Sequence, residues 1–188
     1  MEHDKIFRDE LLISGLGGMG VLLIGSLLAS AAFEQYKYVS WLPSYGVQPR
    51  GGLSECTVIF SEERISSPLL DQAQTIILLD GSQYSVMEPR IRPEGLMIVD
   101  NFGMQEEKMR DDIQLLKLPA TEKMISIFSE ATASNLFLLG AYIATTRTLS
   151  ADLIMSKMNE RFGSKKKMMS RNKKAFEEGF NSGQNYNK

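Results

Sequence analysis

The sequence predicts an α/β fold: a three-layer Rossmann-like domain with a mostly parallel sheet and a helical C-terminal segment. Short apolar runs ending in turn residues alternate with helical patterns as far as Leu118, and a glycine-rich turn follows the first run. From Thr121 onward only helical patterns follow one another. Such alternation is typical of parallel sheets, because parallel strands need a crossover connection. The 188 residues suffice for one buried core, and a second complete domain is not expected.

The elements can be placed in order along the chain. The run at 75–79 is continuously apolar and leads into Asp80-Gly81, which is typical of a central parallel strand. The three helices predicted at 121–128, 134–146 and 150–161 each begin at a Ser or Thr suited to capping. Residues 1–9 and 181–188 are polar, and we expect them to be flexible. Strands are predicted at 11–14, 36–42, 53–60, 75–79, 96–99 and 113–118, and helices at 18–34, 82–89, 121–128, 134–146, 150–161 and 165–179.

The composition excludes several classes of function. The net charge of −2 gives no reason to expect a nucleic-acid partner. One cysteine, Cys56, and one histidine, His3, argue against an iron–sulfur cluster, a structural zinc and a multi-histidine metal site. The longest apolar run, at 21–33, is shorter than the roughly 20 residues of a membrane span, and the N-terminus does not begin a signal peptide. We therefore expect a cytoplasmic protein with no membrane span and no metal site of its own.

The glycine turn spans Ser14 to Gly20 and satisfies G-x-G-x-x-G. A turn of this kind between a strand and a helix can hold a phosphate on free backbone N–H groups. A dinucleotide site normally adds an acidic residue at the end of the second strand, and none stands near Ser40-Trp41-Leu42. No Gly-Lys-Ser/Thr follows, so the P-loop reading fails as well. Three interpretations stay open: close helix packing, an NAD(P)- or FAD-binding oxidoreductase, and a regulatory module that binds a small anion.

A second motif lies in the loop from Ser44 to Gly52, SYGVQPRGG. It holds Arg50 between constrained backbone elements, with two glycines behind it that allow another surface to approach closely. An arginine in this position can bind a carboxylate or phosphate through two of its guanidinium N–H groups at once. An ion pair within the subunit is the alternative.

The C-terminal segment at 165–174 is basic. It can be interpreted as a solvated helix face or as a docking face for an acidic partner.

Taken together and in this order, the motifs closely resemble the gamma subunit of 2-oxoacid:ferredoxin oxidoreductases (the pyruvate/ketoisovalerate oxidoreductase gamma family). The resemblance covers roughly residues 10 to 180, so it implies one gamma-type domain over residues 1–188. The Tyr-Gly form of the loop looks like the 2-oxoglutarate type. The chain departs from the family where Met19 replaces the usual Gln and Gln48 the usual Glu. The matching features are the GxGGxGV turn, SYG-x-x-x-RGG, Ile65-Ser66-Ser67-Pro68, Asp80, Pro93-x-Gly95, and Asn135 ahead of Leu139-Gly140-Ala141.

The resemblance implies a subunit of an enzyme complex that decarboxylates a 2-oxoacid with coenzyme A, giving an acyl-CoA, CO2 and reduced ferredoxin. It implies thiamine diphosphate between the alpha and beta subunits, iron–sulfur clusters on other chains such as the delta subunit, and no cofactor bound by this chain alone. The implied partners are the alpha, beta and delta subunits, with ferredoxin reached through the complex. No catalytic residue is assigned to this chain. The residues expected at a cofactor or at the subunit interface are Gly15, Gly17, Gly18, Gly20, Tyr45, Gly46, Arg50, Gly51 and Gly52.

Overall fold

The strands and helices occur in the predicted order. The computed structural model describes residues 7–45, 52–105 and 110–186. A short 3-10 turn flanks α2 on each side, at Gly81–Gln83 and Glu88–Arg90. The elements are β1 Arg8–Leu16, α1 Val21–Gln35, β2 Tyr38–Tyr45, β3 Leu53–Ser61, β4 Ala73–Leu78, α2 Tyr84–Met87, β5 Ile91–Asp100, β6 Gln114–Leu118, α3 Ala120–Phe128, α4 Ser134–Thr146, α5 Ala151–Phe162 and α6 Lys166–Tyr186.

The six strands form one mixed sheet in the order β2-β3-β1-β4-β5-β6. The pairings β1–β4, β4–β5 and β5–β6 are parallel, whereas β3 runs antiparallel to both β1 and β2. The antiparallel strand follows from chain length. Only residues 46–52 separate β2 from β3, fewer than the dozen or so that a parallel crossover needs. The α/β prediction is confirmed, with parallel pairing on one side of β1 and antiparallel pairing on the other.

The two faces of the sheet are covered unequally. On one face α1 packs against β2 and β3, α4 packs against β4 and β5, and α6 lies against α4. This face holds the larger core, which includes Leu11, Ile13 and Ile77. The opposite face holds a smaller core around Leu12 and Ile76, to which the short α2 contributes Tyr84 and Met87. The layers are therefore helices, sheet and a thin cover of irregular chain.

Helix α6 is longer than the sequence predicted. It runs to Tyr186, so residues 181–186, expected in a flexible tail, are helical, and β1 likewise takes in Arg8 and Asp9 from the segment expected to be flexible. The cause is close packing. A Cβ on Gly179 would collide with the Phe137 carbonyl of α4, and one on Gly183 would lie 2.5 Å from the Ala141 carbonyl oxygen. Glycines let the two helices pack with their backbones in contact, and this burial keeps the polar C-terminal turns helical.

Two broader expectations concern membranes and metals. Within the described ranges no helix combines the length and apolar character that crossing a bilayer requires. In the same ranges His, Cys, Asp and Glu side chains do not come together in groups of three or more that could hold a metal ion.

Candidate functional site: the carboxyl edge of the sheet

The predicted loops meet along one edge of the sheet. Strands β1, β2, β4 and β5 all end there, and β3 begins there. Backbone hydrogen bonds join the segments: the Gly17 N–H donates to the Gly52 carbonyl (3.1 Å) and the Leu79 N–H to the Ser14 carbonyl (2.8 Å). Loops at the carboxyl ends of parallel strands come together, so the sequence predicts one shared rim for the glycine turn, the loop at 43–52, Asp80-Gly81 and Asp100-Asn101. For the described residues this prediction is confirmed.

The glycines of the turn serve different purposes. A Cβ on Gly15 would lie 3.0 Å from the Leu79 Cβ and 3.3 Å from a Val21 methyl, so this glycine allows β1, α1 and the end of β4 to pack closely. Gly18 has φ +95° with open space around it, so its backbone conformation, not crowding, favours glycine. The turn therefore combines close packing with a free edge at Gly18.

Met19 closes the turn. Its N–H donates to the Leu16 carbonyl (3.2 Å), and its sulfur accepts the Leu16 N–H (3.3 Å). The side chain also packs against the main core. A thioether is a weak acceptor, yet it satisfies a donor that the end of β1 leaves free. This contact accounts structurally for Met19 in this chain.

Gly20 links two helix N-termini. It precedes α1 in the left-handed conformation (φ 82°, ψ 26°), and its carbonyl accepts a hydrogen bond from the Asn135 Nδ2 at 3.4 Å. A Cβ on Gly20 would collide with that same amide. Asn135 lies in the first turn of α4, so the starts of α1 and α4 are held side by side.

The other predicted site residues are only partly in view. Gly52 lies against the glycine turn, as described above. Tyr45 pairs through its backbone with Ser54 at the end of β2. The Tyr45 side chain and Gly46, Arg50 and Gly51 lie outside the described residues, so their role stays a prediction.

The arrangement of strands does not provide the ribose contact of a dinucleotide site. In that site the acid stands at the end of the strand that follows the first helix and pairs in parallel with the first strand. Here the antiparallel β3 lies between β1 and β2, and β2 carries no acid. Glu34 lies in α1, where it accepts a hydrogen bond from Lys157 (2.6 Å).

Both strand-end aspartates are engaged locally. Asp80 accepts the Ser82 N–H (3.0 Å). Asp100 accepts the N–H (3.0 Å) and hydroxyl (2.6 Å) of Thr121 and the Phe102 N–H (3.2 Å). Burial raises the pKa of Asp100, and these hydrogen bonds, that of the Thr121 side chain foremost, oppose the rise. The Asp100 carboxylate thus ties the end of β5 to the start of α3.

Cys56 is an inert thiol. It is completely buried, and its Sγ donates to the Val21 carbonyl at 3.6 Å. Burial raises its pKa to about 12, against a lowering by Trp41 and with a smaller rise from Glu55. A thiol that stays protonated at neutral pH is neither a nucleophile nor a metal ligand.

Sequence reasoning missed a cleft that opens beside the glycine turn. Its volume is about 700 Å3, within the range of small-molecule sites. Gly18, Met19 and Gly20 form one wall, the start of α4 a second, and Arg171 and Asn172 of α6 a third. Arg171 was visible in the sequence only as one of many basic residues, and Asn172 carried no signal. The fold brings them to the rim because α6 packs along α4.

Comparisons with known proteins agree with this fold. A family model described as pyruvate ferredoxin/flavodoxin oxidoreductase matches residues 10–182. Ketoisovalerate oxidoreductase subunit VorA of Methanothermobacter marburgensis is 30% identical over 178 residues, which cover 94% of this chain and 37% of the relative. 2-Oxoglutarate synthase subunit KorC of Methanocaldococcus jannaschii is 29% identical over 147 residues, covering 77% of this chain and 79% of the relative.

Among solved structures, the keto/oxoacid ferredoxin oxidoreductase gamma subunit from Geobacter sulfurreducens superposes with a TM-score of 0.80 at 25% identity, over 94% of this chain and 97% of that one. The chain spans little more than a third of the VorA relative's length but most of the KorC relative's. The family match covers almost all of the sequence, and the neighbouring structure shares the whole fold. The resemblance carried by the motifs is therefore confirmed: this chain belongs to the pyruvate ferredoxin/flavodoxin oxidoreductase family.

Proposed function

We propose that this chain is the gamma subunit of a cytoplasmic 2-oxoglutarate:ferredoxin oxidoreductase. The complex decarboxylates the 2-oxoacid, transfers the acyl group to coenzyme A and passes two electrons to ferredoxin. The observation that carries the proposal is the KorC match over more than three quarters of both chains, combined with the Tyr45-Gly46…Arg50-Gly51-Gly52 form of the loop. The VorA relative, named for ketoisovalerate, makes a branched 2-oxoacid the competing substrate.

The rim supports a structural and positioning role for this chain. Its described part is built from glycine backbone and from aspartates that are engaged in local hydrogen bonds, as shown for Asp80 and Asp100. A surface of this kind suits contact with another subunit, because glycines allow close approach. We propose that Gly17, Gly18 and Gly52 form that contact, and that Gly15 and Gly20, which pack against Leu79 and Asn135 within the chain, hold the turn in position for it. Tyr45, Gly46, Arg50 and Gly51 extend it in the same proposal.

The redox and thiamine cofactors fit other chains better than this one. An iron–sulfur cluster takes several thiolates, and Cys56 is the sole cysteine of the sequence and is buried under α1. The sequence also lacks the Gly-Asp-Gly diphosphate motif of the beta subunit. As the family resemblance implies, we propose that the clusters lie on the delta subunit and that thiamine diphosphate lies between alpha and beta.

Reconstitution tests this proposal. The chain is co-expressed with candidate alpha, beta and delta subunits, and CoA-dependent reduction of ferredoxin is measured with 2-oxoglutarate, 2-oxoisovalerate and pyruvate. We expect turnover that is fastest with 2-oxoglutarate and is lost when this chain is omitted. Unchanged turnover without the chain contradicts its role as a subunit, and a preference for 2-oxoisovalerate contradicts the substrate. Micromolar binding of NAD(H), NADP(H) or FAD to the isolated chain would favour an independent oxidoreductase instead.

An arginine pair tests the loop. Arg50→Ala should lower complex assembly or turnover while the isolated subunit keeps its melting temperature. Arg64→Ala is the matched control, since Arg64 is exposed in the link after β3. A large drop in the melting temperature of Arg50→Ala would indicate an ion pair within the subunit and contradict the interface role.

A further inference from the structure

Two polar side chains in the cleft beside the glycine turn have no hydrogen-bond partner among the described residues. Ser134 and Asn172 are only 8% and 7% exposed, and both line this cleft. Neither side chain makes a hydrogen bond within the described parts of the chain. Hydroxyl and amide groups in largely buried residues are normally hydrogen-bonded, and here the open side of the cleft is the direction from which water or a ligand can reach them. Because both side chains line the same cleft, a ligand bound there could accept or donate the hydrogen bonds that they do not make within the described residues.

The backbone at this point favours an anion. Helix α4 has 13 residues, and its N-cap is Ala133, which has no side-chain acceptor. The first intrahelical bonds run from the Leu136 and Phe137 N–H groups to the Ala133 carbonyl, so the N–H groups of Ser134 and Asn135 precede them. The N-terminus of a helix carries a partial positive charge and donors suited to a phosphate or carboxylate.

The charge of the lining has the same sign. No Asp or Glu is among the residues that line the cleft, whereas Arg171 is. The Arg171 Nη1 forms an ion pair with Glu130 (3.0 Å) and donates to Thr132 (2.9 Å) just outside the α4 N-terminus. The Glu130 carboxylate compensates part of the arginine's charge, but both contacts use Nη1, so among the described residues the Nε and Nη2 donors stay available to a ligand at the mouth of the cleft. Asp100 contacts the lining only through Thr121, whose N–H and hydroxyl it already accepts.

A basic groove continues from the mouth of the cleft. It has a volume of about 470 Å3 and shares Met168 and Arg171 with the cleft. Its other members are Lys165, Lys166 and Lys167, which make no ion pair with a described residue. Cations at the start of a helix oppose its dipole. These three exposed lysines add positive potential beside the mouth of the cleft.

From this geometry we propose that the cleft binds the phosphate group of a small phosphorylated molecule. Ser134 and Asn172 donate hydrogen bonds to the phosphate oxygens, the first turn of α4 adds its N–H groups, and Arg171 supplies charge. The apolar walls, at Leu23, Phe162 and Met168, accommodate the organic part. The site lies beside the glycine turn rather than on it, and it stands independently of the substrate of the complex.

Binding to the full-length chain tests this site without the other subunits, so its failure is distinct from failure of the proposed function. The probes are inorganic phosphate, glycerol 3-phosphate and adenosine monophosphate, with acetate as the carboxylate arm, all at constant ionic strength. Titration is followed by calorimetry and by the amide NMR shifts of Ser134 and Asn135. We expect the phosphate-bearing probes to bind more tightly than acetate. Tighter binding of either organic phosphate than of inorganic phosphate identifies the organic part as recognised.

Substitutions locate the site. Ser134→Ala and Asn172→Asp should each weaken phosphate binding about tenfold or more, since a hydrogen bond to a charged group is worth about 1.5–3 kcal/mol. The control is Ser182→Ala, a similar change farther along α6. If Asn172→Asp fails to fold, Ser134→Ala and the NMR shifts decide. Absence of phosphate binding overturns the proposal, and so does binding that survives both substitutions or disappears only when Lys165–Lys167 are neutralised.

Discussion

Asp9 is the carboxylate whose burial should govern the pH dependence of stability. It lies in β1 and is 5% exposed. Its Oδ2 accepts the Tyr142 hydroxyl at 2.8 Å, and its Oδ1 has no partner among the described residues. Burial raises its pKa from the ordinary value of 3.8 to about 6, and the Tyr142 hydrogen bond and the attraction of Arg92 oppose the rise only in part.

The magnitude follows from this difference. The pKa of Asp9 is about 2 pH units higher in the folded state than in the unfolded state. Each pH unit of difference is worth about 1.36 kcal/mol, so ionisation of the carboxyl group destabilises the folded state by about 3 kcal/mol. Because folding raises the pKa of this acid, stability decreases as the carboxyl group ionises. Between pH 4 and 6 the folded state binds more protons than the unfolded one, so the free energy of unfolding falls as pH rises through this window. The penalty is absent below pH 4 and complete above about pH 7.

Asp9→Asn removes the ionisation and nearly preserves the shape. The quantity compared is the free energy of unfolding of the variant minus that of wild type. We expect this difference to be about 2–3 kcal/mol larger at pH 8 than at pH 4, because only wild type bears the cost of ionisation. Any fixed effect of the amide is the same at both pH values. The assay is urea denaturation followed by circular dichroism at pH 4, 5, 6, 7 and 8. Subtracting wild type cancels the titration of all other groups. A difference that stays constant from pH 4 to pH 8 would refute the reasoning.

Three further predictions concern the packing of helices and the rim. Gly179→Ala forces a methyl group into the backbone of α4, so it should cost about 3 kcal/mol or more, whereas Asn181→Ala on the exposed side of the same helix should stay within about 0.5 kcal/mol, as thermal denaturation would measure. Gly20→Ala should lower the free energy of unfolding by about 2–4 kcal/mol through backbone strain and collision with Asn135. Adding Asn135→Ala should recover the part of this loss that is due to the collision, and strictly additive effects in the double-mutant cycle would contradict the contact. Asp100→Ala should lower the free energy of unfolding by about 3 kcal/mol through three lost hydrogen bonds, and Asp100→Asn, which keeps an acceptor oxygen, should lose less; equal losses would show that the hydrogen bonds are not what the carboxylate contributes.

The local patterns gave the positions of most elements. The continuous apolar run ending at Asp80 is the buried strand β4, and the Ser134–Thr146 helix has the predicted bounds. Both are cases in which a short segment contains its own physical signal, a run of apolar residues or a helical period with a suitable start. The direction of β3 had no such signal in its own residues, since strand alternation looks the same in either direction.

The end of α6 could not be predicted in the same way. Its last turns are polar and read as a tail, yet Gly183 is buried against α4. Those turns are stabilised by packing against α4, which lies more than 30 residues earlier in the sequence. Local propensity gives no information about such a contact.

The sequence by itself determined the family, the α/β order of elements and the meeting of loops at one edge of the sheet. These follow from residue types at short spacing: the glycine turn, the Tyr45–Gly52 loop and the strand-end turns. Only the tertiary structure decided that the glycine turn mainly packs helices, and that the cleft beside it is lined by Ser134, Arg171 and Asn172. Burial, pairing and charge at that cleft depend on α6 folding back along α4, and a long-range contact of this kind is a property of the packed chain.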